Sequence, residues 1–274
     1  TLRKDRVFSI IHNTYQPQEG KTFRLAPNKE TVLVELWDWA KQMSSLPFEN
    51  RKSASLICHL RKDVQGIVRA LKTDFPELRI KEYHGKSDPE EKAHDFSNVE
   101  ESWKDLDLIT YTSTLKIGVS CTNPKFEQAF CLFNSYIETN AGTNQMLFCM
   151  QCIKDYICHI EQRSSNAPIT EEGLFRWLLN AKQKFCSYHL FGWRMVAFLR
   201  KAGMVISIIE LIPKPKDNTI SLSQTVKVSS SIIKTEEIAD VSNATIIDRE
   251  TAEFLENKPK KTLEEMWSLD QHHI

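Results

Sequence analysis

The chain has no surplus of charge: 36 Lys and Arg balance 36 Asp and Glu over 274 residues. No global field therefore draws it to nucleic acid or to a membrane surface, and any polyanion site has to be local. It has no secretory leader and no long apolar run. Both absences argue against a membrane partner and for an intracellular protein, nuclear or cytoplasmic. Its seven cysteines are odd in number and scattered, which makes a poor disulfide framework and leads us to expect reduced thiols. There is no internal repeat. The phosphate loop of nucleoside triphosphatases is also incomplete. Gly20-Lys21-Thr22 and Gly85-Lys86-Ser87 have Tyr15 and Ile80 where the loop needs an earlier glycine to wrap phosphates with backbone N–H groups. No Asp-Glu pair ends an apolar strand in a suitable place. The chain alone is expected to hold no complete nucleoside triphosphate site. It starts at Thr1 rather than Met, so a fragment or a degenerate reading frame is expected.

What is present is an alternation of strands and helices organised around residues 103–160. Asn28 caps a predicted helix that runs to about Met43, with Leu33, Leu36, Trp37 and Ala40 at helical spacing. Ala54–Cys58 reads as a strand, followed by a helix with the stripe Val64, Ile67, Val68 and Leu71. Leu78–Tyr83, Leu108–Tyr111, Phe126–Phe133 and Tyr156–Ile160 read as further strands. Pro89–His94 and Gly142–Ile153 read as helices, and a possible first strand lies at Arg6–Asn13. This alternation predicts an α/β domain, a mostly parallel sheet flanked by helices. Beyond it, Thr170 caps a helical segment with Trp177 in its stripe, and Leu190–Ala202 is a second helix whose Trp193 is expected in the core. Met204–Leu211 is a short apolar strand. Val226–Asn243, rich in Ser and Thr with little periodicity, is expected to be linker, and Asp248–Leu269 a charged helix broken near Pro259.

Cys149, Cys152, Cys158 and His159 invite a zinc assignment, but their spacing is compressed and the second pair lacks the usual ligand form, so no metal is expected. Cys58-His59 reads as a core thiol beside a loop histidine rather than a catalytic pair. What remains is a series at strand ends. His59-Leu60-Arg61 follows one strand and His84-Gly85 another. Thr112-Ser113-Thr114 with Gly118-Val119-Ser120 follows a third, and the Gln145 helix comes next. Hydroxyls, backbone N–H groups and basic side chains along one sheet edge suit a phosphate backbone or a nucleotide.

Strand-His-x-Arg, Tyr83-His84-Gly85, Thr110-Tyr111-Thr112-Ser113 with Gly118-Val119-Ser120, and Gln145-Met146-Leu147 stand in an order that resembles the second RecA-like lobe of a superfamily 2 helicase. Within that group the sequence is most similar to the replication origin-binding proteins, the herpesvirus-type initiator helicases. The resemblance implies ATP-dependent DNA unwinding in replication by the intact family, with ATP and magnesium held together with a first lobe that is missing here. It implies that His59, Arg61, Thr112 and Ser113 meet a DNA or RNA backbone, and that Gly118, Ser120 and Gln145 lie towards the nucleotide. Two arginines normally follow the glutamine and stabilise charge in phosphoryl transfer. Their positions here are Cys149 and Gln151, and neither side chain carries positive charge. Losing such an arginine costs on the order of a thousandfold or more in turnover, so no catalytic residue and no bound ATP or magnesium are expected for this chain alone. The implied organisation is an interlobe segment and helix over 1–52, the RecA-like lobe over 53–162, a helical extension over 163–212, and a linker with a charged tail over 213–274. The rival expectation is a non-catalytic protein-interaction module docking through the Trp177–Trp193 region.

Overall fold

The computed structural model describes residues 15–115, 119–162, 191–210, 220–258 and 261–273. Seven strands form one sheet: β1 (Thr22–Leu25), β2 (Ser53–Cys58), β3 (Ile80–Tyr83), β4 (Leu108–Tyr111), β5 (Phe126–Asn134), β6 (Asp155–Glu161) and β7 (Val205–Ile208), in the order β3-β4-β2-β5-β6-β1-β7. Every neighbouring pair is parallel. This is the α/β class expected from the sequence, a parallel sheet flanked by helices.

The helices follow from which way each crossover runs. Helix α1 (Lys29–Ser44) carries the chain from β1 across to β2, and α2 (Arg61–Asp74) carries it on to β3. Both cover one face of the sheet. There Val32, Leu33, Leu36, Val64, Ile67 and Leu71 pack on Leu56, Phe130, Leu132 and Ile157. After α3 (Pro89–Ser97), α4 (Val99–Ser102) and β4, the chain returns to the far side of β2. It runs through β5 and then α5 (Asn140–Phe148), which covers the other face. Ile57, Tyr111, Ala129, Phe133 and Tyr156 meet Met146 and Leu147 there. Parallel crossovers of one hand that run in opposite directions must place their helices on opposite faces. Because both faces are covered, the central strands read as short continuous apolar runs, and consecutive residues serve different cores. In β5, Phe130 and Leu132 serve one core while Ala129, Cys131 and Phe133 serve the other.

The Asn28 cap acts as read: its side chain accepts from Thr31 N–H at 2.9 Å and starts α1. The structure adds a cap not read from the sequence, the Asp88 side chain, which starts α3 with Pro89 just inside. Four expectations need correction. Strand β1 lies just before Asn28, where no element is expected from the sequence; its Arg24 is neutralised by Asp155 of β6, Nη2 to Oδ2 2.6 Å, which no local pattern reveals. Helix α5 stops at Phe148 because Cys149–Cys152 turns to meet the loop after β4. The segment expected to be linker is a 22-residue helix, α7 (Leu222–Asn243), which follows α6 (Phe191–Lys201). Its contacts, not its periodicity, hold it in place. Finally, Trp193 is 74% exposed, because the buried stripe of α6 is Phe191, Met195 and Leu199, and residue 193 faces away from it. The charged tail forms two helices as expected, α8 (Arg249–Asn257) and α9 (Leu263–His272). The expected elements at Arg6–Asn13 and around Thr170 and Trp177 lie outside the described residues. Among the described residues no helix is long and apolar enough to cross a membrane.

Candidate functional site

The chain leaves β2 in one direction and resumes at β5 on β2's other side, so the carboxyl ends of β2 and β5 flank a topological switch point. Ligands of open α/β sheets bind at such points. His59, immediately after β2, spans it. The ring is 5% exposed and stacks on Phe133, with centroids 4.6 Å apart. Its Nε2 lies 3.0 Å from the Thr143 hydroxyl of α5, and Asn134 N–H points at Nδ1 at 3.1 Å. Thr143 donates its own proton to the Thr139 carbonyl (2.9 Å), Nδ1 also lies 3.0 Å from the Asn134 carbonyl, and the histidine ties β2, β5 and α5 together. Of the residues expected to meet a nucleic-acid backbone, His59 is thus placed as a buried strut. Arg61 begins α2 at the surface. Its Nη1 and Nη2 donate to the two carboxylate oxygens of Glu237 in α7, at 2.7 and 3.3 Å.

At the end of β4, Thr112 N–H donates to the Tyr83 carbonyl (3.0 Å), and the Thr114 hydroxyl donates to the same oxygen (3.1 Å). Thr112 is buried and Ser113 half-buried. Register pairs Ile57 with Tyr111 and Cys58 with Leu132. The Thr112–Thr114 loop, Arg61 and the β5 end therefore share one edge. His84 ends β3 on that same edge. Its Nδ1 accepts from Lys86 N–H (3.2 Å), and burial, with Arg61 and Lys92 nearby, lowers it to about 4 from an ordinary 6.5. The folded state thus prefers the neutral ring, and the unfolded chain takes up the proton first. Stability present at neutral pH is expected to drain away as pH falls from 6.5 towards 4. Urea midpoints at pH 7 and pH 4.5 should fall less steeply for His84→Asn than for the parent chain; equal slopes would refute the assignment.

The two remaining stretches meet each other away from this edge. After the loop, Cys121 forms a parallel bridge with Met150, and Gln151 N–H donates to the Cys121 carbonyl (2.9 Å). Gln151 Nε2 donates to the Ser120 hydroxyl at 2.6 Å, and Lys21 Nζ donates to the Gln151 carbonyl at 2.8 Å. Ser120 and Gln151 are therefore adjacent and exposed. Gln145 is exposed on α5, five residues and about 7.5 Å along the helix from its start. Cys149 is 3% exposed. Its thiol donates to the carbonyls of Gln145 (3.2 Å) and Leu115 (3.5 Å), and burial pushes it up to about 11. Gly118 lies outside the described residues. The cysteines considered for zinc diverge: Cys152 donates to the Thr122 carbonyl, while Cys158 is buried in β6 beside Cys131. Helix α7, which packs Glu237 onto Arg61, was missed from sequence, and no local signal pointed to it.

No protein-family model matches the chain. A putative helicase/primase complex protein of African swine fever virus, Badajoz strain, is 24% identical over 123 residues, covering 45% of this chain and 11% of that protein. Its counterpart in a Malawi tick isolate of the virus is 36% identical over 61 residues, 22% of this chain and 6% of that protein. The match thus spans about a tenth or less of these curated relatives, and the chain is weakly similar to them. Among solved structures, the C-terminal domain of S. cerevisiae Dbp5 bound to Gle1 and IP6 overlays with a TM-score of 0.39 and 13% identity. That overlay covers 78% of this chain and 98% of the other. The DUF1998 helicase MrfA bound to DNA overlays with a TM-score of 0.34 and 14% identity, covering 77% of this chain and 28% of that one.

Proposed function

We propose that the chain is the C-terminal lobe of a helicase, holding a single-stranded DNA or RNA backbone on the carboxyl edge of its sheet. The finer reading is a lobe of the replication origin-binding branch that works with an N-terminal lobe. One observation carries the proposal: the parallel strand order sets the β2, β4 and β5 ends side by side, and with them Arg61, Ser113 and the backbone of the Thr112–Thr114 loop. The motif order and the weak similarity to viral helicase/primase complex proteins agree with it. The residues at the arginine positions do not fit an ATP-hydrolysing site. Cys149 is a buried thiol, Gln151 is neutral, and the nearby Lys21 ammonium is committed to a backbone carbonyl. ATP chemistry belongs, on this reading, to an assembly with another lobe and not to this chain alone.

Binding to a labelled single-stranded oligonucleotide is expected to be weak, with log K falling linearly in log salt by about 0.7 per phosphate contact. Arg61→Gln should reduce that slope by about 0.7. A titration flat in salt would refute backbone binding, and measurable ATP turnover by the purified chain would refute its catalytic silence. The protein-interaction reading has Trp193 in its favour, exposed on α6. It predicts a partner whose capture is lost in Trp193→Ala while oligonucleotide binding is not.

A further inference from the structure

Helix α7 buries little of itself. Val226 joins the α1–α2 core, and Val241 is buried near the other end, but Val228, Ile232 and Ile238 are exposed. What holds the helix is polar, and the ion pairs between lobe and arm have one sense. The lobe supplies cations and the arm formed by α7, α8 and α9 supplies carboxylates. Glu237 takes Arg61, Glu236 takes Arg69 at 2.5 Å, and Asp270 of α9 takes Lys86 at 2.5 Å. Gln65 adds a bond to Glu237 at 3.2 Å, and the Ser230 hydroxyl donates to the Lys62 carbonyl at 2.8 Å. At the start of α7, Glu30 of α1 accepts from Leu222 and Ser223 N–H at 2.7 and 2.8 Å. The arm therefore has an anchor near Val226 and a latch near Glu237 and Asp270.

The latch sits on the strand-end edge. A cavity of about 1050 Å³ separates lobe and arm there, with Arg61, Lys62, Lys86, Lys227 and Lys234 in its wall. Of these, the lobe's Arg61 and Lys86 are engaged by Glu237 of α7 and Asp270 of α9, as phosphates along a strand would engage them, while Lys227 and Lys234 belong to α7 itself. Half-exposed ion pairs of this kind are individually weak and screened by salt, so they can be exchanged without disturbing the apolar cores. Close approach is built in as well. A Cβ on Gly66 of α2 would lie 2.0 Å from Ser230 Oγ and 2.7 Å from the Val226 carbonyl oxygen, so only glycine lets α7 lie this near.

We propose that the C-terminal arm is a displaceable cover on the strand-end edge, and that docking of the arm and binding of a single-stranded nucleic acid exclude each other. Glu237 and Asp270 hold the cations that the strand would use. The inference rests on the reading of that edge as a nucleic-acid surface given above.

The test uses the full chain, a labelled oligo-dT and fluorescence anisotropy. Glu237→Gln combined with Asp270→Asn should tighten binding about tenfold, roughly threefold for each released pair. Gly66→Ala, which improves α2 as a helix but wedges α7 away, should tighten it without any change of charge. Oligo-dT added to the parent chain should speed amide exchange over residues 230–243. Unchanged or weaker binding in the opened variants, with Arg61→Gln still weakening it, would overturn the cover and leave the surface reading standing. If neither Arg61→Gln nor Lys86→Gln alters binding in the opened background, the surface reading itself fails, and the cover with it. Should Gly66→Ala fail to fold, the charge variants and the exchange experiment still decide.

Discussion

Cys149→Arg is expected to destabilise the chain by about 3–5 kcal/mol, the cost of a buried charge left without its partner. Gln151→Arg, two residues on, should stay within about 0.5 kcal/mol of the parent. The contrast follows from where the two side chains point. Cys149 is buried, its thiol bonded to the backbone carbonyls of Leu115 and Gln145. A guanidinium there brings a charge and five donors to a place where the thiol now uses two neutral backbone carbonyls. Gln151 lies at the surface against Ser120, and an arginine in its place loses one hydrogen bond but keeps its hydration. Urea unfolding of the two variants checks this. Parent-like stability in Cys149→Arg would show that position 149 can turn an arginine outward, which would reopen the two-arginine alignment. If the contrast holds, an attempt to rebuild catalysis with an added first lobe should start from position 151. Restoring both arginines at once would carry the full cost of the charge at position 149.

The second large effect is at Trp103, which is fully buried at the start of the stretch leading into β4. Its indole N–H donates to the Tyr83 hydroxyl at 2.9 Å, and that hydroxyl donates to Asp95 at 2.8 Å. Asp95 in turn accepts from Lys81 at 2.6 Å, and Phe96 packs edge-on against the indole, 6.4 Å between centroids. Trp103→Ala is expected to cost about 3–5 kcal/mol through the cavity it opens under α3 and β3. Trp103→Phe keeps most of the volume and removes one neutral hydrogen bond, worth about 1 kcal/mol, plus some contact area. The two variants therefore separate packing from polar bonding at one position. Equal losses in thermal unfolding would mean that the Tyr83–Asp95 relay, not the indole's bulk, joins β3 to α3.

Much of the lobe was legible because its signals are local. Asn28 caps a helix with its own side chain, and the stripe Val64–Leu71 repeats at the helical period. The doubly covered strands announce themselves as short runs of Leu, Ile, Phe and Tyr. The candidate edge was legible for the same reason, since a parallel sheet puts every strand's last residue on one side. Signals that lie in a partner elsewhere in the chain were not legible. Arg24 inside a four-residue strand looks like a loop residue until Asp155 is beside it. The Ser- and Thr-rich stretch of α7 has too weak an apolar stripe to read as a helix, and the cations it meets, Arg61 and Arg69 of α2, lie about 170 residues earlier.

By itself the sequence determined the class of fold, the strand ends that carry hydroxyl and basic residues, and the absence of a complete phosphate loop. All of these depend on residue types and spacings within a few turns of chain. Only the tertiary structure decided that His59 is buried against Phe133 and Thr143, that Cys149 is buried while Gln151 meets Ser120 at the surface, and that Arg61 is paired with Glu237. Those outcomes depend on which distant groups share a desolvated or charged neighbourhood, and that is fixed by the strand order and by the docking of α7.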